Sequence, residues 1–217
     1  PLWKAWESAL AKRAQFKHEY EITTANGVRK WVLELGQGIY NEHGVVEALE
    51  GIVLDISDRK EMENSLRYIN EHDRLTGLYN RDYLESLLEN DSKLKKKTKR
   101  AMIGINLSTV QLLTANYGFH YTQNLIKKVA ETLSRYCTDK HILFNTYENR
   151  FVFYLVDYKD KSELIEFGQT IGETLESLFL MERIGGGIGI LEIDQDNDLT
   201  ADLLLRRLLV ASEKSIN

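Results

Sequence analysis

Apolar residues recur along this chain with two different periods, and the way the periods alternate divides it. Residues 2–13 set Leu2, Trp3, Trp6, Ala9 and Leu10 at helical spacing, which predicts a short amphipathic helix. Three strand-like runs follow at 16–23, 29–40 and 45–57, separated by the turns "ANG" at 25–27 and "NEHG" at 41–44. The glycine closing each turn supplies the positive backbone angle that a hairpin asks for. The pattern predicts a three-stranded antiparallel meander with a helix in front.

A polar helix is predicted next, from 58 to 71. Asp58, with Glu61 three residues on, has the form of a capping box. Met62, Leu66 and Ile69 fall at i, i+4 and i+7 and make its apolar stripe. A stripe so narrow either packs on a neighbouring domain or forms a short coiled-coil seam, and under two heptads both readings stay open.

From Asp73 onward, helix patterns at 81–90, 108–116, 119–136, 161–180 and 199–215 mix with strands at 101–107, 141–145, 150–156 and 184–193. Leu125, Ile126, Val129 and Leu133 form the core stripe of one helix. Leu164, Phe167, Ile171, Leu175 and Leu178 form that of another. The chain therefore reads as α+β: a small antiparallel sheet over 1–57, a linker helix over 58–72, and an α/β sandwich with a mainly antiparallel central sheet over 73–217.

Composition narrows the function classes. With 217 residues, 43% apolar and 28% charged, the chain can bury a real core and looks like an ordinary globular protein. A net charge of −5 provides no basic field for nucleic acid or an anionic membrane, and no apolar run approaches a membrane span. Neither partner is expected. The single Cys137 excludes an internal disulfide and fits a reducing, cytoplasmic compartment, although a longer parent is free to carry a membrane anchor. The chain opens at Pro1 without an initiator Met and reads as a piece of something longer. Cys137 closes an apolar helical pattern, so a buried thiol is expected there rather than a nucleophile.

Several runs invite chemistry and fail its tests. "DQDND" at 194–198 spaces carboxylates like a calcium loop, but Leu199 stands where the loop glycine belongs and Leu205 where its bidentate Glu belongs. "GGGIGI" at 185–190 lacks the Lys-Ser/Thr of a phosphate loop and suits a strand that another element approaches closely. "KLKKKTKR" at 93–100 reads as a solvated loop before a buried strand. The five histidines show no ligand spacing with one another or with Cys137, so no zinc site is expected.

"HILFNTYENRFVFYL" at 141–155 is different. Two apolar runs flank six polar residues, Asn145 to Arg150, in the manner of a hairpin whose turn has no glycine. Tyr147, Glu148, Asn149 and Arg150 stand side by side in it.

Two family resemblances bear on these features. Glu19-Tyr20, Asn26-Gly27, Trp31, Gly44, Gly51 and the closing "DISDRK" at 55–60 resemble the C-terminal half of a PAS sensor domain. Such domains bind a small ligand and pass a signal down the helix that follows; the front half of the fold is missing here, so a pocket would be incomplete. "DRLTGLYNRDYL" at 73–84 is similar to the start of a GGDEF domain, the diguanylate cyclase family, with Asp73, Leu75, Thr76, Gly77, Leu78, Asn80 and Arg81 all matching. That resemblance covers 73 to about 215.

An active GGDEF domain joins two GTP molecules into cyclic di-GMP with two Mg²⁺ ions. The resemblance places the first metal-binding Asp at Asn106, the guanine-reading Asn at Thr114 and its Asp partner at Gln123. Phe151 keeps the signature's Phe, while its two glycines become Tyr147 and Glu148, its Asp becomes Asn149 and its metal-binding Glu becomes Arg150. The family's product-inhibition motif falls on Thr138 to His141 and is absent.

Mg²⁺ wants hard anionic oxygens, and an arginine at a ligand position repels it. Like charges ~4 Å apart cost about 4 kcal/mol at an effective dielectric near 20. The expectation is therefore a degenerate domain with no cyclase activity and neither Mg²⁺ nor GTP bound, leaving an unidentified PAS ligand as the one open cofactor. It would act as a regulatory module, homodimeric through the PAS region and linker helix, coupling a sensor to a downstream output domain such as an EAL phosphodiesterase. The alternatives are an active diguanylate cyclase, and a PAS ligand sensor followed by a passive spacer.

Overall fold

The computed structural model describes residues 2–93, 98–182, 185–193 and 199–214. The acidic run at 194–198 and residues 94–97 of the basic run lie outside these. The chain divides into two compact units, Pro1–Arg67 and Tyr68–Asn217.

In the first unit, helix α1 (Leu2–Ala11) precedes strands β1 (Phe16–Thr23), β2 (Arg29–Tyr40) and β3 (Val46–Asp55), which pair antiparallel in the order β1-β2-β3. This is the predicted meander. Trp6 anchors the helix: its ring stacks on Phe16 at 4.2 Å and its Nε1 donates to Glu34 at 3.0 Å. Edge strand β3 is exposed along its whole length.

Helix α2 (Ser57–Glu71) then spans the division between the units. Its start differs from the predicted capping box. Asp58 lies inside the first turn, and the chain is turned into the helix by Asp55, whose Oδ1 accepts from Ser57 N at 3.0 Å. Asp55 can do this because it ends β3, where Lys30 of the neighbouring strand holds its other oxygen at 2.6 Å. Met62, Leu66 and Ile69 are 66, 55 and 48% exposed.

The second unit continues with α3 (Arg81–Lys93), β4 (Arg100–Asn106), α4 (Val110–Tyr117), α5 (Phe119–Ser134), β5 (His141–Tyr147), β6 (Arg150–Val156), α6 (Lys161–Glu182), β7 (Gly187–Ile193) and α7 (Ala201–Lys214). Its sheet has the order β5-β6-β4-β7, with every neighbour antiparallel. Strand alternation sorts the side chains onto two faces. Ile103, Ile105, Phe151 and Phe153 join Leu125, Val129, Leu133, Leu164, Ile171 and Leu175 in one core, as the helix stripes predict. Met102, Val152 and Tyr154 join Leu84, Leu88, Leu204 and Leu208 of α3 and α7 in the other. Each large side chain so buried contributes about 1.5–3 kcal/mol.

Gly104 and Gly189 explain the seat of α7. They are register partners across β4 and β7. A Cβ on Gly104 would lie 2.7 Å from Leu208, and one on Gly189 would lie 2.5 Å from the Ser212 backbone. The glycine-rich run thus serves close backbone approach. Strand β7 starts later than predicted, at Gly187. Cys137 is exposed rather than buried, because α5 ends at Ser134 and the cysteine falls in the turn beyond it. Partial desolvation still pushes its thiol pKa up, which argues against a reactive thiolate.

Candidate functional site

The segment between α2 and α3 begins the site, and its side chains explain its own sequence. The Asp73 carboxylate accepts from Leu75 N at 3.1 Å, Thr76 N at 2.8 Å and Thr76 Oγ1 at 2.8 Å. Gly77 takes φ 71°, closing the turn. Asn80 Oδ1 accepts from Tyr83 N at 3.0 Å to cap α3, and its Nδ2 donates to Asn70 O at 2.7 Å. Arg81 pairs with Glu85 at 2.6 Å and with Asp202 of α7 at 3.2 Å. The hydrogen bond to Glu85 raises the Arg81 pKa further, so its charge is permanent.

Tyr79 carries this segment onto the sheet. It bridges His72 on one side and Phe144 of β5 on the other, and its carbonyl accepts from Asn145 N at 2.8 Å. Tyr68 stacks on His72 at 3.9 Å, and the rings of His72 and Tyr79 and of Tyr79 and Tyr83 pack at a tilt, 4.6 and 4.5 Å apart.

The hairpin β5–β6 stands beside it. Both strands run further than their apolar stretches indicate, so only Glu148 and Asn149 remain in the turn. Two-residue hairpin loops normally need positive φ. Arg13 and Asp157 are the described non-glycine residues with positive φ, so Glu148 and Asn149 do without it. The register slips at Thr146 instead, where Asn145 faces Phe151 but Tyr147 faces Arg150. A bulge does the work that glycine does elsewhere.

A cavity of about 640 Å³ opens between this hairpin, α4, α5 and the 73–82 segment. Of the seven residues singled out from the sequence, Thr114, Gln123, Tyr147 and Glu148 line it. The Thr114 hydroxyl already has two partners. It lies 2.9 Å from both Val110 O and the hydroxyl of Thr122, a residue only 2% exposed.

Asn106, Asn149 and Arg150 gather elsewhere. Asn149 Nδ2 donates to Asn106 Oδ1 and to Leu107 O, both at 3.2 Å, while Leu107 N donates to Asn149 O at 2.8 Å. Arg150 pairs with Asn106 across β4 and β6, and its guanidinium carbon lies 5.5 Å from the Tyr147 ring centroid. This donor set offers a potential cation two neutral amide groups, already bonded to each other, and one fixed positive charge. Among the described residues, no group of three or more His, Cys, Asp or Glu is placed to hold a metal ion.

Two site residues escape a reading of the sequence. Asn145 is only 5% exposed and lines the 640 Å³ cavity, and its Nδ2 has no acceptor. The signal was strand alternation, which puts it on the face of Leu143 rather than in the turn. Thr122 carried no comparable signal, because its partner Thr114 lies across a break between helices at Gly118.

Comparison with known proteins gives a consistent picture. A family model described as "Diguanylate cyclase, GGDEF domain" matches residues 70–208. The "Uncharacterized protein y4lL" of Sinorhizobium fredii (strain NBRC 101917 / NGR234) is 25% identical over 182 residues, 80% of this chain and 22% of that protein. The chain thus spans about a fifth of that relative's length. The Vibrio cholerae LapD S helix-GGDEF-EAL structure, bound to c-di-GMP, has TM-score 0.59 and 16% identity, covering 71% of this chain and 37% of that one. The coiled coil and GGDEF domain of DgcB from Caulobacter crescentus, in complex with c-di-GMP, has TM-score 0.58 and 14% identity, covering 72% and 85%. The FimX GGDEF domain from Pseudomonas aeruginosa has TM-score 0.52 and 16% identity, covering 67% and 93%. At these identities the solved structures share the fold. No helix among the described residues is long and apolar enough to cross a membrane.

Proposed function

Because this chain belongs to the diguanylate cyclase (GGDEF) family, we propose that it is a regulatory module of cyclic di-GMP signalling whose own cyclase chemistry has been lost. The observation that carries this reading is Arg150, a cation beside the Asn106–Asn149 amide pair where the family's chemistry calls for metal-binding carboxylates. Mg²⁺ prefers carboxylate and water oxygens in near-octahedral array, and this donor set does not fit it. Without the ion, the charge developing on a transferred phosphoryl group loses several kcal/mol of stabilisation. The Thr114–Thr122 hydroxyl contact supports the same reading for the base-reading position.

The first unit is proposed to be the C-terminal part of a PAS sensor domain. Its antiparallel meander and the "DISDRK" exit into α2 support this. Helix α2 then acts as the signalling linker, and its exposed Met62, Leu66 and Ile69 are proposed to form the seam of a cytoplasmic homodimer. The output lies in a downstream domain, of which the EAL module of the Vibrio cholerae structure is one example.

Incubating the chain with GTP and Mg²⁺ and separating the products tests the central claim. No cyclic di-GMP above background is expected. Product that grows linearly with enzyme would overturn the reading and return the chain to the active cyclases.

A further inference from the structure

A second, smaller cavity adjoins the first and shares Arg81, Thr146 and Tyr147 with it. It measures about 250 Å³ and is bounded by β4, β6 and α7. Its floor is apolar, with Val152 and Leu208 among the residues facing it, while among the described residues Arg81, Arg150 and Arg206 line it against one carboxylate, Asp202. That volume equals roughly eight waters' share of the liquid, below the ~300–1,000 Å³ of sites for larger ligands.

The charges in this cavity do not balance. Asp202 is shared, receiving Arg206 Nε at 2.8 Å and Arg81 Nη2 at 3.2 Å, and Glu85 takes the Nε of Arg81 at 2.6 Å. Arg150 has no ion-pair partner among the described residues. Its Nε is shut off from solvent without an acceptor, and its guanidinium lies over the Tyr147 ring. A half-buried guanidinium with no counter-charge is costly, and a neighbouring apolar floor strengthens its pull on any anion within reach. Guanidinium forks match the planar or tetrahedral oxygens of carboxylate and phosphate.

We infer that this cavity is a metal-independent site for a small oxyanion, a phosphate or carboxylate group held by Arg150 with Arg206 and Arg81 at its rim. The site does not require the domain to be catalytically inactive, because it is read by binding without metal rather than by product. Arg150 then has a positive role. The residue that excludes a divalent cation supplies the charge for an anion.

The test uses the full 217-residue chain in buffer stripped of divalent cations by a chelating resin, with no soluble chelator, titrated calorimetrically with inorganic pyrophosphate in one arm and citrate in the other at fixed ionic strength. Saturable binding with one site is expected in at least one arm, and competition between the two would show a shared site. The arm that binds tighter identifies phosphate or carboxylate as the preferred group. Arg150→Gln should weaken binding at least tenfold and Arg150→Lys less, while Arg135→Gln, outside the cavity, should leave it unchanged. Should Arg150→Gln fail to fold, Arg206→Gln reads the same site from a side chain that is 74% exposed. The inference fails if wild type binds neither probe, if binding appears only when Mg²⁺ is added, or if neither arginine variant alters the affinity.

Discussion

The side-chain amide of Asn149 donates to the side-chain carbonyl of Asn106 at 3.2 Å, closing the turn of the β5–β6 hairpin onto the end of β4. Two carboxylates could not make this contact, since neither would have a proton to give at neutral pH. The pair therefore locks the hairpin by the same chemistry that denies a cation its ligands.

Converting that lock back should create metal affinity and cost stability. In an Asn106→Asp, Arg150→Glu variant, two carboxylates face each other across neighbouring strands, and the variant should melt below wild type in EDTA. Saturating Mg²⁺ should restore it, by about 2.7 kcal/mol at a hundredfold excess over the dissociation constant. Wild type should show no Mg²⁺-dependent shift. Thermal denaturation with and without the ion checks both.

The seat of α7 predicts an order of severity. Gly189→Ala drives a methyl into backbone atoms of Ala211 and Ser212, whereas Gly104→Ala meets the side chain of Leu208, which can adjust in part. Overpacking of this kind costs about 1–3 kcal/mol, with Gly189→Ala at the upper end. Urea denaturation midpoints should rank wild type above Gly104→Ala above Gly189→Ala.

In the first unit, Trp6 is the buried link between α1 and the sheet. Trp6→Ala removes its stack on Phe16 and leaves Glu34 with Tyr20 as its remaining hydrogen-bond donor. A loss of about 3–5 kcal/mol is expected from that cavity. Hydrogen exchange should show β1 and β2 losing protection while β4 and β6 keep theirs.

Acid should weaken the first unit in a defined window. Hydrogen bonds from Lys60 and Arg59 hold the Glu19 carboxyl down to about 2, against 4.5 for a free one. A depressed folded value means stability that is present above about pH 4.5 and lost as pH falls toward 2. Asp55, held low chiefly by Lys30, acts in the same direction. Glu19→Gln should flatten the melting temperature profile across this window, and added salt should shrink the difference, since these groups are in contact with solvent.

The mixture of helices and antiparallel strands was legible in the sequence because periods of two and 3.6 survive any tertiary arrangement. Leu125, Ile126, Val129 and Leu133 all lie in the core that their spacing predicts. Cys137 was misread because an apolar helical pattern does not say on which residue the helix ends. The capping box failed for a related reason: Asp55 competes with Asp58 for the same job and wins because Lys30, a strand away, holds it.

Sequence by itself determined which chemical groups are present at the hairpin: a cation at 150, amides at 106 and 149, and no glycine in the turn. These follow from side-chain identity, and no fold could make Arg150 a metal ligand. Only the tertiary structure decided how the seven positions divide, with Thr114, Gln123, Tyr147 and Glu148 on one cavity and Asn106 paired with Asn149 beside Arg150. The physical reason is that α4, α5 and β4 are separate elements whose neighbours the fold sets, while the bulge at Thr146 shifts the hairpin register so that Asn145 faces Phe151 and Tyr147 faces Arg150.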